Sequence, residues 1–165
     1  MTGLVIAVDH PRRDDVQALL RRHLTFAHEH TPIEHAFALD VDALLEPDVT
    51  FFAARRDGAL LAVGALKELD ARHAEVKSMH TAGAARRQGV GRAMVQHLLG
   101  VARDRGYDRV SLETGTMDAF APARALYRDI GFVPCGPFAG YRASPDNTFM
   151  TLELSASRAG TPAQP

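Results

Sequence analysis

Arg86-Arg87-Gln88-Gly89-Val90-Gly91-Arg92 is the stretch on which the reading of this chain turns. Before it, Ala74 to Thr81 reads as a strand. After it, Gly89 to Arg105 carries Val90, Met94, Leu98 and Val101, with Val95 and Ala102, as one apolar stripe of a helix that Gly106 ends. A glycine turn between a strand and a helix start is an anion site. The first N–H groups of a helix are unpaired, its dipole is positive there, and glycine lets a phosphate approach the backbone closely. Arg86, Arg87 and Arg92 add charge around the same turn. A dinucleotide fingerprint needs a third small residue where Met94 stands, and a nucleotide P-loop needs a Gly-Lys-Ser/Thr that is absent. What remains is Arg-x-x-Gly-x-Gly, a phosphate-binding pattern that a plain flexible turn also fits.

Outward from that loop, Leu4 to Val8 predicts a strand. Arg12 to Ala27 predicts a helix with Asp14 and Asp15 at its positive end. Asp40 is placed to cap a short helix from Val41 to Leu45, stopped by Pro47. Val49 to Arg56 and Ala59 to Glu68 flank Asp57-Gly58, a strong hairpin signal. Downstream, Asp108 to Thr114 predicts a strand, and Pro122 opens a helix that Gly131 closes after Ile130. Two strands follow, one from Phe132 and Val133 or later and one from Thr148 to Leu154. This order predicts an α/β fold with a mixed sheet and helices on its faces. Residues 1–154 form one domain, and 155–165 read as a flexible tail.

The chain has 165 residues, a formal net charge of -1 and a single cysteine, Cys135. A balanced charge gives no field for a polyanion, so nucleic acid is not an expected partner. One cysteine allows no internal disulfide, which fits a reducing, cytoplasmic setting, and Cys135 reads as a small, partly buried side chain. No stretch is long and apolar enough to span a bilayer, and the first residues do not resemble a signal peptide.

The loop resembles the pyrophosphate loop of the GNAT acetyltransferases. Val76-Lys77-Ser78-Met79-His80-Thr81 fills the strand that precedes it in that family. Leu126-Tyr127-Arg128-Asp129-Ile130-Gly131-Phe132 matches its later Leu-Tyr-x-x-x-Gly-Phe block. The resemblance runs from Leu4 to Leu154. The runs Leu112–Gly115 and Cys135–Tyr141 are similar to a bacterial YsnE-like subgroup.

Such a resemblance implies a single, mostly antiparallel mixed sheet that splays open after its fourth strand. It implies acetyl-CoA as co-substrate and direct attack by an amine on the thioester. Met79, His80 and Thr81 would meet the pantetheine arm through their backbone. Arg86, Arg87, Gln88, Gly89, Val90, Gly91 and Arg92 would hold the pyrophosphate. Tyr127 matches the family's acid position. For the base, His80 on the fourth strand and Glu113 on the next are the candidates, with Glu75 and His73 beside them and an all-water route as the alternative. Strict alternation puts Glu75, Lys77 and Met79 on one face and Ser78 and His80 on the other. One position departs from the family: Phe120 stands six residues before Leu126, where an Asn is common. It either packs on the pantetheine or leaves that contact to water.

His23, His28, His30 and His35 cluster with Glu29 and Glu34, but at no standard zinc spacing and without a cysteine, so no metal is expected. With Arg21 or Arg22 they border the acceptor side in this fold and could receive an acidic acceptor, or they are simply solvated. The expected acceptor is a small-molecule primary amine or amino acid. A protein N-terminus or lysine, and a coenzyme A-binding module without turnover, are the rival readings. The late strands offer an edge for a homodimer.

Overall fold

The computed structural model describes residues 3–27 and 40–154. His28, His30, His35, the side chain of His23 and the tail from 155 lie outside the described residues. The elements follow the expected order: β1 (Val5–Val8), α1 (Asp14–Ala27), α2 (residues 40–44), β2 (Val49–Arg56), β3 (Ala59–Asp70), β4 (His73–Thr81), α3 (Val90–Asp104), β5 (Arg109–Gly115), α4 (Ala121–Ile130), β6 (Val133–Cys135) and β7 (Asn147–Glu153). Asp40 lies inside α2 rather than ahead of it. Among the described residues, seven strands form one mixed sheet in the order β1-β2-β3-β4-β5-β7-β6. β4 and β5 run parallel because α3 carries the chain back between them. The β2–β3 hairpin turns on Asp57 (φ 54°) and Gly58 (φ 82°), both left-handed as a two-residue type I′ turn requires.

Contacts divide the chain into two compact units. One comprises Met1–Lys67 with Ser78–Leu98, the other Glu68–Lys77 with Leu99–Pro165. In the first unit, period-two alternation of β2 and β3 makes two apolar faces. Phe51, Ala53, Val63 and Ala65 pack on Val16, Leu19 and Leu20 of α1 and Val41 and Leu44 of α2. On the other face Gly64 lies under Met94 and Leu98 of α3, and Phe52 meets the His97 ring edge-on at 5.0 Å. Helices therefore cover both faces of this part of the sheet. Arg55 joins β2 to α1. Its guanidinium lies 3.0 Å from Asp9 and 2.6 Å from Asp15, and its hydrogen bond holds the Asp15 carboxyl below the usual range.

In the second unit, β5 pairs along its whole length with β7, from Arg109 opposite Glu153 to Gly115 opposite Asn147. This register separates two faces. Val110, Leu112, Met150 and Leu152 share the apolar one, on which Gly131 at the end of α4 sits against Leu152. Ser111, Glu113, Phe149 and Thr151 share the other. β4 joins β5 through three pairs only, His73 with Arg109, Ala74 with Val110 and Glu75 with Ser111, and then runs on to Thr81. β6 is an edge of three residues with Pro134 at its centre, a blunted edge for pairing with another chain.

Candidate active site

The loop after β4 is shaped by two left-handed residues, Arg87 (φ 65°) and Gly89 (φ 77°). Gly89 therefore stands outside the helix, and α3 starts at Val90, one residue later than periodicity suggests. The first backbone bond of α3 runs from the Ala93 N–H to the Gly89 carbonyl at 3.0 Å, so the N–H groups of its first turn precede the helical ladder. Arg86, Arg87, Gln88, Gly89 and Arg92 are exposed, while Val90 is buried and anchors the turn. Gln88 accepts a hydrogen bond from Arg56 at 3.3 Å. Open backbone, a helix N-terminus and three exposed guanidinium groups fit a pyrophosphate. A β-branched residue cannot adopt the Gly89 conformation without strain of about 1–2 kcal/mol. Gly89→Val is expected to raise KM for acetyl-CoA at least about tenfold, with kcat at saturation largely kept, because the pantetheine arm separates the pyrophosphate of acetyl-CoA from its thioester. A thiol-release titration checks this, and an unchanged KM would remove the loop from cofactor binding.

Met79, His80 and Thr81 end β4 and are half-buried. Strict alternation along β4 does not hold here. Ser78 is left-handed (φ 55°), a bulge-like kink, so the residues after it do not inherit the faces of Glu75 and Lys77. Met79 turns its sulfur toward Gly64, beside Met94 and Leu98. Sequence periodicity misses this because a single left-handed residue resets the period of two.

The second unit holds Glu75, Glu113, Phe120 and Tyr127. Glu113 is half-buried, and its carboxylate accepts from the Asn147 amide at 2.7 Å. Glu75 is only 3% exposed and accepts the Tyr141 hydroxyl proton at 2.6 Å. Sequence reasoning did not give Tyr141 a role. The available signal was Phe138 and Tyr141 flanking Gly140 in the loop between the last two strands. Burial first, then the Glu75 hydrogen bond and the Glu75 and Glu113 charges, push the Tyr141 phenol far above the ordinary tyrosine range.

His73 Nε2 shares a hydrogen bond with Ser111 Oγ at 2.7 Å, which continues to Thr151 at 2.9 Å. Burial lowers the His73 pKa, aided by Arg109 and opposed by Asp70. Below about pH 6.5 the unfolded chain therefore takes up a proton that the native state resists. Stability is expected to fall as pH drops from that value through the lowered native pKa. In melts at pH 7 and pH 5, His73→Gln should show a shallower loss than the natural chain. An identical slope would refute the assignment.

Tyr127 is 6% exposed, its ring set edge-on to Phe132 at 5.7 Å. Among the described residues nothing hydrogen-bonds to its hydroxyl. None of the fully enclosed side-chain polar atoms among the described residues lacks a partner. Burial raises its pKa well above the usual range, which keeps it protonated. Phe120 lays its ring on the end of β5, so close that a Cβ on Gly115 would lie 2.5 Å from it. Cys135 is half-buried, and burial pushes its thiol up. Among the described residues no cluster has the side chains to hold a metal, and no helix is long and apolar enough to cross a membrane.

Residues 13–132 match the family model described as the acetyltransferase (GNAT) family. The chain is 43% identical over 149 residues to the uncharacterised N-acetyltransferase YsnE of Bacillus subtilis, covering 90% of this chain and 99% of that protein. It is 33% identical to a protein of Azospirillum brasilense named IAA acetyltransferase, covering 93% and 100%. Its fold matches the crystal structure of the ribosomal-protein-S18-alanine N-acetyltransferase of Escherichia coli with a TM-score of 0.68 at 21% identity, over 92% and 94% of the two chains.

Proposed function

This chain belongs to the acetyltransferase (GNAT) family and uses acetyl-CoA as co-substrate, and from that premise we propose that it acetylates the primary amine of a small molecule or amino acid by direct attack. The observation that carries this reading is the polar face of β4, β5 and β7. Two carboxylates, Glu75 and Glu113, sit there on adjoining strands, both within electrostatic reach of Tyr141. A negative potential on a partly buried face favours a cationic amine over an anionic acceptor.

The amine nitrogen bonds to the thioester carbon, the C–S bond breaks, and the sulfur leaves with its electron pair. The loop from Arg86 to Arg92 is read as the pyrophosphate cradle, and Met79, His80 and Thr81 as the strand end that meets the pantetheine. An N–H near Met79 would stabilise the oxyanion, an effect worth about 3 kcal/mol per donor. Tyr127 is the hydrogen-bond donor to the departing sulfur. A thiol titrates near 8.5 and tyrosine near 10, so complete transfer from a phenol held still higher costs more than about 2 kcal/mol. Tyr127 therefore acts by stabilising developing charge, with the proton arriving late. For the base, a carboxylate on the polar face is favoured over His80, whose strand has lost its simple alternation at Ser78.

Thiol release from acetyl-CoA, measured against small primary amines, free amino acids and short peptides, tests the reading. Turnover with small amines or amino acids is expected. Turnover confined to peptides would replace it with a protein acetyltransferase.

A further inference from the structure

We propose that Tyr141, on the loop joining β6 to β7, is the relay through which Glu75 takes the proton of the acceptor amine. This rests on the acetyl-transfer reading above and deepens it. Glu75 is buried behind a half-buried phenol, and the 2.6 Å hydrogen bond runs from the Tyr141 hydroxyl to the Glu75 Oε2. A proton moving from that side toward the carboxylate meets the phenol oxygen first.

The loop is built to hold the phenol there. Ala139 (φ 53°) and Gly140 (φ 81°) are both left-handed, and the Tyr141 N–H closes the turn on the Phe138 carbonyl at 3.0 Å. Both aromatic rings are thereby turned onto the sheet. Phe138 packs on His73 at 5.9 Å, on Phe149 at 5.8 Å and on Tyr141 at 5.3 Å. Tyr141 packs on Phe149 at 6.0 Å. Glu113, held by Asn147, faces the same phenol from β5.

A second tyrosine–glutamate pair in the chain gives the contrast. Tyr107 donates to Glu68 at the same 2.6 Å, but Glu68 is exposed, so a proton reaches it from water directly. Glu75 is shielded from water, and the Tyr141 hydroxyl is a hydrogen-bonded neighbour through which a proton can reach it.

The step balances without any further reactant. The acceptor arrives as an ammonium, whose nitrogen has no lone pair until a proton leaves. That proton passes to the Tyr141 oxygen while the phenol proton passes to Glu75, and the freed amine then forms the C–N bond. The second proton, made acidic by that bond, leaves with the departing sulfur as the thiol. Tyr141 ends neutral, as it began, and Glu75 returns its proton to solvent after product leaves. The raised pKa of the phenol suits this role, because the relay starts from a neutral hydroxyl and forms no phenolate.

The test uses the full chain with saturating acetyl-CoA and two amines of similar size, ethylamine and the weakly basic 2,2,2-trifluoroethylamine. Tyr141→Phe is expected to lower kcat about 50-fold or more with ethylamine and less than about threefold with the weak base, whose proton water removes unaided. Glu75→Gln, which still accepts the tyrosine hydrogen bond, should repeat that pattern. Tyr107→Phe should leave both rates unchanged. Calorimetric acetyl-CoA affinity should be equal in all four proteins. Equal losses with both amines would make Tyr141 structural and overturn the relay, as would no loss with either. If the natural chain turned over neither amine, the small-amine reading would fall and the relay with it. Should Tyr141→Phe melt early, Glu75→Gln decides the outcome.

Discussion

Tyr127→Phe is expected to lower kcat about 100-fold while leaving KM for acetyl-CoA within about twofold. The residue is nearly enclosed and packs on Phe132, so phenylalanine fills the same space. The lost oxygen has no hydrogen-bond partner among the described residues, so nothing in them is left unsatisfied. Thermal stability should therefore stay close to that of the natural chain. A loss confined to kcat is what a group acting only on the departing sulfur produces, since binding energy spent equally on ground and transition states would appear in KM instead. Steady-state thiol release with a melting curve checks both parts. Full kcat in the variant would end the acid role, and a matched fall in melting temperature would recast Tyr127 as a packing residue.

The second large effect is structural. Gly64 on β3 has no room for a side chain. An added Cβ would lie 2.8 Å from the Met79 sulfur, 2.9 Å from the Met94 side chain and 3.2 Å from Leu98. Alanine asks two flexible methionines to move aside, at about 1–3 kcal/mol, whereas valine adds two further methyls to a filled layer. Gly64→Val is expected to destabilise the chain by about 3 kcal/mol or more, read as a lower denaturant midpoint. Gly64→Ala should carry a kinetic signature as well. Displacing Met79 disturbs the strand end proposed to meet the pantetheine, so KM for acetyl-CoA should rise in a protein that still folds. An alanine variant with unchanged midpoint and unchanged KM would show that the methionines relax freely.

Short-range signals carried most of the fold into the sequence. Asp57-Gly58 places a hairpin because few residue pairs adopt two left-handed conformations. The apolar stripe of α3 places a helix because a period near 3.6 is a local property. Gly131 closes α4 with φ 125°, a conformation that glycine adopts readily. The proposed donor half of the site rests on the same kind of signal. A phosphate cradle is a contiguous stretch of backbone, and its glycines and arginines must be neighbours in sequence.

Other features became visible only in three dimensions. The left-handed kink at Ser78 cancels the alternation that a strand alone would show. The lack of space over Gly64 arises because Met94 and Leu98 of α3 pack on β3 there. The pairing of Tyr141 with Glu75 joins residues 66 positions apart. No periodicity encodes such a contact. It is decided by the turn at Ala139 and Gly140 and by the register of β7 on β5. The anion loop proposed at Arg86 to Arg92 could thus be read from the sequence alone, because backbone binding is local. The polar face proposed to receive the amine appears only in the tertiary structure, because three strands and a loop must converge to build it.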